Sequence, residues 1–367
     1  MDEHIKRIHY WIMNKKEGPV QIQLHLTNFC NLKCFFCPTR TLIDKSRLNP
    51  KNELTTDAWL TIIKQGEELN VKEWHICGGG EPFFFKDKAV SVIHKIKELH
   101  RHCEIITNGT LFDEEMIRNF VQIDVDKITF SIDGSHARIH ESIRGVSCFD
   151  MIKDNLKLFC YWKKKLHKNK PRIAFHVVMC NKNYRNLEDI VKLAQKTGAE
   201  DVLINALNIW SDKIKALELH EKQKTELKSI LVKADKYARK HTINTNIPEF
   251  IELNLFDIAN VMDKSIYVKS GSEKSLLNAA CFMPWYNMSV FSDGECKPCF
   301  ILKQQGPSLK KDSLKSIWQG DFFNTLRNDM ISNKMRSDCS KCNPWSFYKN
   351  KEIRKELRKT YYGRTNQ

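Results

Sequence analysis

The sequence predicts an α/β fold, a parallel sheet with helices packed outside it in the form of a partial (β/α)6 TIM-like barrel, followed by a small cysteine-bearing C-terminal domain. Segments with the two-residue period of a strand alternate with segments of helical period between about residues 20 and 205, and this order implies parallel strands. Six strands are too few to close an eight-stranded barrel. Cysteines cluster near residue 30 and again after residue 280, which indicates two separate sites.

The six predicted strands are short, each five to eight residues long. The first alternates apolar and polar residues and leads directly into a cysteine loop. In order they are Val20–Leu26, Glu73–Cys77, Cys103–Thr107, Lys127–Ile132, Arg172–Met179 and Asp201–Asn205. Ligands of parallel sheets bind at the carboxyl ends of the strands, so we expect functional side chains there.

The predicted helices follow the strands and begin at recognisable caps. Thr55, Thr56 and Asp57 form a plausible cap for the first of them. They are Ala58–Leu69, Lys88–Leu99, a helix opening near Asp113, Phe149–Trp162, Leu187–Lys196 and a long helix Leu217–Arg239.

The charge balance is strongly basic, with 60 Lys and Arg against 44 Asp and Glu, a formal charge of +16. Such a charge attracts anionic partners, and basic runs occur at residues 163–170 and 349–359. Few aromatic residues are interleaved with these cations, so we do not expect nucleic acid as a partner. The chain has no apolar signal region and no apolar run of membrane-spanning length. We therefore expect a cytosolic protein whose 13 cysteines bind metal or stay free rather than form disulfides.

Three cysteines, Cys30, Cys34 and Cys37, supply three thiolates within eight residues. Iron-sulfur clusters normally take four cysteine ligands, so this triplet would leave one iron open, as an open metal position does in a catalytic site. The alternatives are three ordinary thiols or part of a zinc site. Phe29, Phe35 and Phe36 surround the triplet and either pack in the core or tune the cluster.

The spacing Cys-x3-Cys-x2-Cys resembles the signature of the radical S-adenosylmethionine (SAM) enzymes. The resemblance implies that the open iron chelates the amino and carboxylate groups of SAM. It also implies that one electron, supplied by a flavodoxin or ferredoxin, cleaves SAM to a 5′-deoxyadenosyl radical, which removes hydrogen from an unactivated carbon.

Further matches to this family lie at the predicted strand ends. The run Gly78-Gly79-Gly80-Glu81 resembles the motif that receives the SAM amino group, and alone it would also fit a tight turn. The resemblance implies a SAM ribose contact for Ser131 and a SAM carboxylate contact for Arg144, whose planar guanidinium suits that anion; a surface salt bridge is the alternative for Arg144. The remaining candidates for SAM binding are Asn108, in the run Thr107-Asn108-Gly109, and also Asn186 and Asn205.

The second cysteine group resembles the SPASM or shorter twitch extension of the same enzymes. The resemblance implies one auxiliary [4Fe-4S] cluster on Cys281, Cys299, Cys339 and Cys342, with Cys296 as the spare or alternative ligand. A zinc ribbon built from Cys296-x2-Cys299 and Cys339-x2-Cys342 is the competing interpretation, but its spacer is longer than usual and it leaves Cys281 unused. Cys77 and Cys180 are either buried thiols or hydrogen-atom donors.

The predicted domains are a radical SAM core followed by an auxiliary domain with connecting segments. Their bounds are an N-terminal extension 1–19, the core 20–205, a bridging helical region 206–270, the SPASM/twitch domain 271–345 and a basic tail 346–367. Because only about twenty residues precede the first strand, we expect no leader-binding domain and favour a small polar or carrier-bound substrate, anionic and like a sugar or cyclitol. Peptide or protein maturation is the first alternative, and a basic zinc-ribbon nucleic-acid-binding protein is an alternative from another class.

Overall fold

Strands and helices alternate in the computed structural model, which describes residues 2–39, 48–209, 211–252, 276–342 and 344–362. The strands are β1 Gln21–Leu24, β2 Glu73–Ile76, β3 His102–Thr107, β4 Lys127–Ser131, β5 Arg172–Met179, β6 Asp201–Ala206, β7 Asn244–Thr245, β8 Asn287–Val290 and β9 Cys296–Lys297. All six predicted strands lie within two residues of these bounds.

The helices run in chain order from the N-terminus to a long C-terminal helix. They are α1 Glu3–Ile12, α2 Thr56–Glu68, α3 Lys86–Glu98, α4 Glu114–Gln122, α5 Ala137–Arg144, α6 Phe149–Lys165, α7 Leu187–Lys196, α8 Asp212–Lys215, α9 Glu221–Lys240, α10 Ile247–Glu252, α11 Met283–Tyr286, α12 Leu314–Gln319, α13 Asp321–Ile331 and α14 Pro344–Tyr362. The side chain of Thr55 accepts a hydrogen bond from the Ala58 amide, which confirms the predicted cap of α2.

The chain divides into two compact units, which we call the sheet unit and the terminal unit. The sheet unit contains Leu26–Pro50 and Ile76–Ile258, and the terminal unit contains Met1–His25, Lys51–His75 and Ala259–Gln367. Each unit is therefore assembled from segments that are distant in sequence.

In the sheet unit, β3 to β7 form a parallel sheet in chain order. Representative register pairs are Ile105 with Ile128, Ser131 with His176, Met179 with Ala206, and Val202 with Thr245. This confirms the α/β fold with a parallel sheet, because successive strands are joined by helices as the sequence pattern requires.

The two faces of this sheet differ in polarity. One face is apolar, and its residues, Ile105, Ile128, Phe130, Ile173, Phe175 and Val202, are at most 1% exposed. On the other face, polar side chains pair between neighbouring strands. Lys127 Nζ lies 3.1 Å from Glu104 Oε1, and Asn205 Nδ2 lies 2.6 Å from His176 Nε2. The sheet therefore packs against its helices on one face and offers hydrogen-bonding groups on the other.

In the terminal unit, β1 pairs in parallel with β8, and β8 pairs antiparallel with β9. The first of these pairings aligns Leu24 with Val290, two residues 266 positions apart that no local pattern connects. The predicted basic tail is, over its described part, the helix α14.

One predicted helix start needs correction, and one predicted turn lies outside the described residues. The long helix predicted from Leu217 begins at Glu221 because His220 caps it, and the Gln223 Oε1 atom accepts a hydrogen bond from the His220 amide. The turn predicted at Ser270–Ser272 lies outside the described residues, as do all of residues 253–275. Among the described helices, none is both long and apolar enough to cross a bilayer.

Candidate functional site

The cysteine loop of the sheet unit is held by the end of helix α5. The Lys33 amide donates to the Arg144 carbonyl at 3.2 Å, and the Phe35 amide donates to the Ile143 carbonyl at 3.2 Å. Gly145 follows with φ 74°, and a Cβ there would lie 2.8 Å from the Lys33 carbonyl oxygen. A glycine is required at this position both by its φ and by the close approach of the loop.

Hydrogen bonds reach the sulfur atoms of Cys30 and Cys34 in the cysteine loop. The Leu32 amide donates to Cys30 Sγ at 3.4 Å, and Arg144 Nη1 donates to Cys34 Sγ at 3.6 Å. Although Cys30 as a residue is exposed, partial desolvation of its sulfur raises the pKa of the thiol to about 11 in the metal-free chain. Because iron binds the thiolate, these donors and the metal would together supply the stabilisation that the thiolate lacks.

Arg144 is buried and is fixed from two sides. Its Nε atom lies 2.6 Å from Asp133 Oδ2, and its guanidinium lies over the Phe36 ring, 5.4 Å from the centroid. Burial alone would lower the pKa of Arg144, but the carboxylate of Asp133 reverses the effect and raises it. Arg144 is thus not in the surface salt bridge that the sequence left open.

The glycine run packs directly on the backbone that precedes the cysteines. Gly78 and Gly79 have φ of 70° and 65°, and a Cβ on Gly80 would lie 1.9 Å from the Phe29 carbonyl oxygen. The Gly80 amide donates to Thr27 O at 2.6 Å. Only glycine permits this approach, so the run has a structural reason in this chain in addition to its expected role with SAM.

Glu81 is buried at the end of strand β3. Its Oε1 accepts from Thr107 Oγ1 at 2.5 Å and its Oε2 accepts from the Asn108 amide at 2.8 Å. Burial nevertheless raises the pKa of Glu81 to about 7, because these hydrogen bonds only partly offset the lost hydration. A cationic ligand group next to Glu81 would restore the ionised form.

Asn108 links two predicted motifs. Its Nδ2 donates to Asn31 Oδ1 at 2.9 Å and lies 4.0 Å from Cys30 Sγ. Asn31 in turn donates to Thr110 Oγ1 at 2.8 Å. Asn31 was not among the predicted site residues, and its position inside the cysteine loop was the one signal that could have indicated it.

The remaining predicted SAM contacts lie at neighbouring strand ends but have different partners. Ser131 ends β4 opposite His176 of β5, and His176 pairs with Asn205. Burial lowers the pKa of His176 to about 4, which keeps the ring neutral. Asn186 instead bonds Ser135 through both its amide oxygen and its amide nitrogen. His176 was missed because a histidine inside a strand gives no sequence signal of its own.

The second cysteine group, which consists of Cys281, Cys299, Cys339 and Cys342, lies in the terminal unit. The charges of Cys281, Cys299 and Cys339 act on one another, and Cys342 interacts with all three. Burial is the largest cause of the raised pKa of each of these four thiols. The pKa of Cys281 reaches about 12. Four thiols brought together in this way suit a group that provides compensating positive charge.

Cys296 lies apart from this group. It is fully buried, its Sγ contacts the Gly294 carbonyl oxygen at 3.7 Å, and the charges acting on it come from Glu295 and Asp293 rather than from other cysteines. The structure therefore brings together the four cysteines first expected for the auxiliary cluster and places the spare elsewhere.

The described cysteines are not drawn together as closely as the ligands of a single zinc ion. Within the described ranges, the one set of three or more metal-ligating side chains whose ligand atoms all lie within 4.8 Å of one another contains no cysteine. A tetrahedral zinc ion with Zn–S bonds of about 2.3 Å would draw its sulfur atoms to within about 3.8 Å of each other. Neither cysteine group therefore has the compact arrangement of a zinc site among the described residues.

Of the two cysteines considered as hydrogen-atom donors, Cys180 is buried and Cys77 is partly exposed. Burial raises the pKa of Cys77 to about 12 and that of Cys180 to about 11. Both thiols therefore stay protonated, and their role as donors remains a prediction.

Two family models match the chain at these two sites. The model described as the Radical SAM superfamily matches residues 24–194, and the SPASM model, described as an iron-sulfur cluster-binding domain, matches residues 281–343. The first includes Cys30, Cys34 and Cys37, and the second includes the four cysteines of the terminal unit.

Individual relatives are distant. The PqqA peptide cyclase of Granulibacter bethesdensis is 23% identical over 316 residues, 84% of this chain and 76% of that protein. The tungsten-containing aldehyde ferredoxin oxidoreductase cofactor-modifying protein of Pyrococcus furiosus is 24% identical over 187 residues, and the match spans only about half of it, 51%. Among solved structures, Streptococcus suis SuiB bound to the precursor peptide SuiA aligns with a TM-score of 0.64 at 17% identity, over 94% of this chain and 74% of that one. That likeness concerns the fold.

Proposed function

Because the chain is a radical SAM enzyme with a C-terminal SPASM domain, we propose that it abstracts a hydrogen atom from an unactivated carbon of a peptide substrate. When bound to the N-terminal cluster, SAM supplies the radical chemistry for this step. The reaction class is supported above all by one observation, the convergence of Cys30, Cys34, Glu81, Asn108 and Arg144 in the sheet unit.

Each of these side chains has a proposed task. Cys30, Cys34 and Cys37 hold the cluster, while Leu32 and Arg144 donate to two of the sulfur atoms. Glu81, which has no cationic hydrogen-bond partner among the described residues, receives the SAM ammonium group. Arg144, with Nε on Asp133 and Nη1 on Cys34, retains Nη2 for the SAM carboxylate, and Ser131 binds the ribose.

The polar face of the sheet supports a substrate rich in hydrogen-bonding groups. Glu104, Lys127 and Thr129 form one interacting set on this face, and His176 with Asn205 forms another nearer the carboxyl ends of the strands. A peptide backbone offers both donors and acceptors to such a surface. The matched PqqA cyclase acts on a peptide, as its name states, and this favours the peptide alternative over the small polar substrate expected from the sequence.

The four cysteines of the terminal unit are proposed to bind one auxiliary [4Fe-4S] cluster. With four protein ligands such a cluster has no open iron, so its role is electron transfer and not direct substrate binding. The external electron donor is proposed to be a flavodoxin or ferredoxin, since acidic redox proteins would be attracted to a chain of net charge +16.

The reaction class is tested by anaerobic reconstitution with iron and sulfide, followed by dithionite and SAM. Release of 5′-deoxyadenosine is expected, together with iron and sulfide contents of about eight each per chain. Zinc without sulfide and no nucleoside product would contradict the proposal and favour a zinc-binding protein.

The substrate class is tested with the low-molecular-mass fraction of a source-cell extract. We expect this fraction to stimulate 5′-deoxyadenosine release, and we expect digestion with proteinase K beforehand to abolish the stimulation. Stimulation that survives the protease would identify a non-peptide substrate, while the radical SAM assignment would stand.

A further inference from the structure

Helix α14 is packed into the core of the terminal unit. Ile353 is 4% exposed and Leu357 is fully buried, and both belong to an apolar cluster with Ile8, Phe282 and Trp285. Since Cys281 immediately precedes Phe282 in sequence, this packing brings the polar side of α14 to the first auxiliary ligand.

Asn350 of α14 contacts that ligand directly. It is 5% exposed, and its Nδ2 donates to Cys281 Sγ at 3.7 Å. Its Oδ1 accepts from the Phe282 amide at 2.8 Å, and its Nδ2 also donates to Ser346 O at 2.7 Å. The amide is therefore held in one orientation, with an N–H directed at sulfur.

Arg354 lies one helical turn beyond Asn350. Its Nη2 donates to the Ala279 carbonyl at 2.8 Å, and its guanidinium lies over the Phe282 ring, 5.5 Å from the centroid. Its Nε atom is buried without a hydrogen-bond partner among the described residues. The charge of Cys281 is one of those that act on Arg354, and an arginine stays protonated in such surroundings.

We infer that α14 forms part of the auxiliary site, where Asn350 and Arg354 stabilise the additional negative charge of a reduced cluster. A one-electron reduction adds one negative charge next to Cys281. The potential of an iron-sulfur cluster depends on net charge, hydrogen bonds to sulfur and burial, and these two side chains supply the first two. The cluster is thereby suited to take up electrons. The inference depends on the proposed auxiliary cluster and not on the identity of the substrate.

The test is a redox titration of the auxiliary cluster alone. In the full chain carrying Cys30→Ala, Cys34→Ala and Cys37→Ala, the remaining iron reports only the auxiliary site, and its reduced form is followed by electron paramagnetic resonance during titration with dithionite. This variant needs no SAM cleavage, so a failure of the proposed reaction would not affect the measurement. If it holds no iron-sulfur cluster, both the auxiliary site and this inference are overturned.

Added to this background, Arg354→Met is expected to lower the ratio of reduced to oxidised cluster at a fixed potential about tenfold, which corresponds to 59 mV for one electron. Arg354→Lys should restore most of the ratio because it keeps the charge. The matched control is Lys355→Met, which removes a cation of the same helix that is 58% exposed and pairs with Glu352. An unchanged potential in Arg354→Met, or an equal shift in Lys355→Met, would overturn the inference.

A second variant decides the matter if Arg354→Met does not retain its cluster. Asn350→Asp is nearly isosteric and places a negative oxygen at Cys281. It must make the cluster harder to reduce than in the triple-alanine background, and an equal or higher potential would contradict the role given to Asn350.

Discussion

The Nε atom of Arg144 lies 2.6 Å from the Oδ2 atom of Asp133, and both side chains are buried. The second carboxylate oxygen of Asp133 accepts from the Val178 amide at 2.8 Å, so strand β5 anchors the pair. With Nη1 on Cys34, Arg144 connects the sheet to the cysteine loop. This ion pair orients the loop in addition to any contact that Arg144 makes with SAM.

Replacing Arg144 by methionine is expected to lower the free energy of unfolding by about 3–5 kcal/mol, because Asp133 would remain buried without its partner. Denaturant unfolding of the metal-free chain measures the change. The control is Arg138→Met, an exposed arginine of the same helix, which should be nearly neutral. Adding Asp133→Leu to Arg144→Met should recover part of the loss, and no recovery would show that the pair is not the cause.

Glu81 should make stability depend on pH. Burial raises its pKa from 4.5 to about 7, so the folded chain binds this proton more tightly than the unfolded chain. The contribution to stability is full below pH 4.5 and is lost as the pH rises through 7. Glu81→Gln should therefore become more stable relative to the wild type by about 2–3 kcal/mol between pH 5 and pH 8. A difference that does not vary with pH would mean that Glu81 ionises normally.

Replacing Cys30, Cys34 and Cys37 together by alanine should abolish 5′-deoxyadenosine release and reduce bound iron from about eight to about four per chain. Replacing the four cysteines of the terminal unit instead should leave the iron that binds SAM. Iron analysis and the change of the paramagnetic signal on SAM addition measure the two effects. Nucleoside release by the triple variant would refute the assignment of the first site.

Cys296 and Cys339 offer a direct comparison at the second site. Cys339→Ala removes one of the four clustered thiols and should reduce the auxiliary iron. Cys296→Ala removes a thiol that contacts Gly294 and should leave the iron content unchanged, at a cost of about 1 kcal/mol in stability from the lost buried atom. Iron loss in Cys296→Ala but not in Cys339→Ala would favour a different ligand set.

Gly80→Ala is expected to abolish SAM binding, because the added Cβ would lie 1.9 Å from the Phe29 carbonyl and 2.7 Å from Asn28 C. Backbone atoms cannot yield as a flexible side chain can, so the cysteine loop would move away. Equilibrium dialysis of labelled SAM with the reconstituted enzyme measures the effect. Normal binding by this variant would show that the loop tolerates displacement.

Local pattern alone determined much of this protein. The two-residue period of the strands and the helix caps depend on neighbouring residues, and so Lys127–Ser131 and the Thr55 cap could be predicted closely. The cysteine triplet and the glycine run are likewise contiguous, because the chemistry that they serve needs ligands on one short loop.

Only the tertiary structure decided which distant residues meet. A surface salt bridge was open for Arg144 in the sequence, and its pairing with Asp133 depends on how α5 returns to β4. The spacing of the cysteines does not decide whether Cys296 or Cys299 is a cluster ligand. In the structure, strand β9 buries Cys296, while Cys299 lies with the other cysteines of the group. Helix α14 resembled a solvated basic tail because its charges outnumber its apolar residues, but two buried side chains, Ile353 and Leu357, suffice to dock it. These outcomes follow from long-range packing, which a linear pattern does not encode.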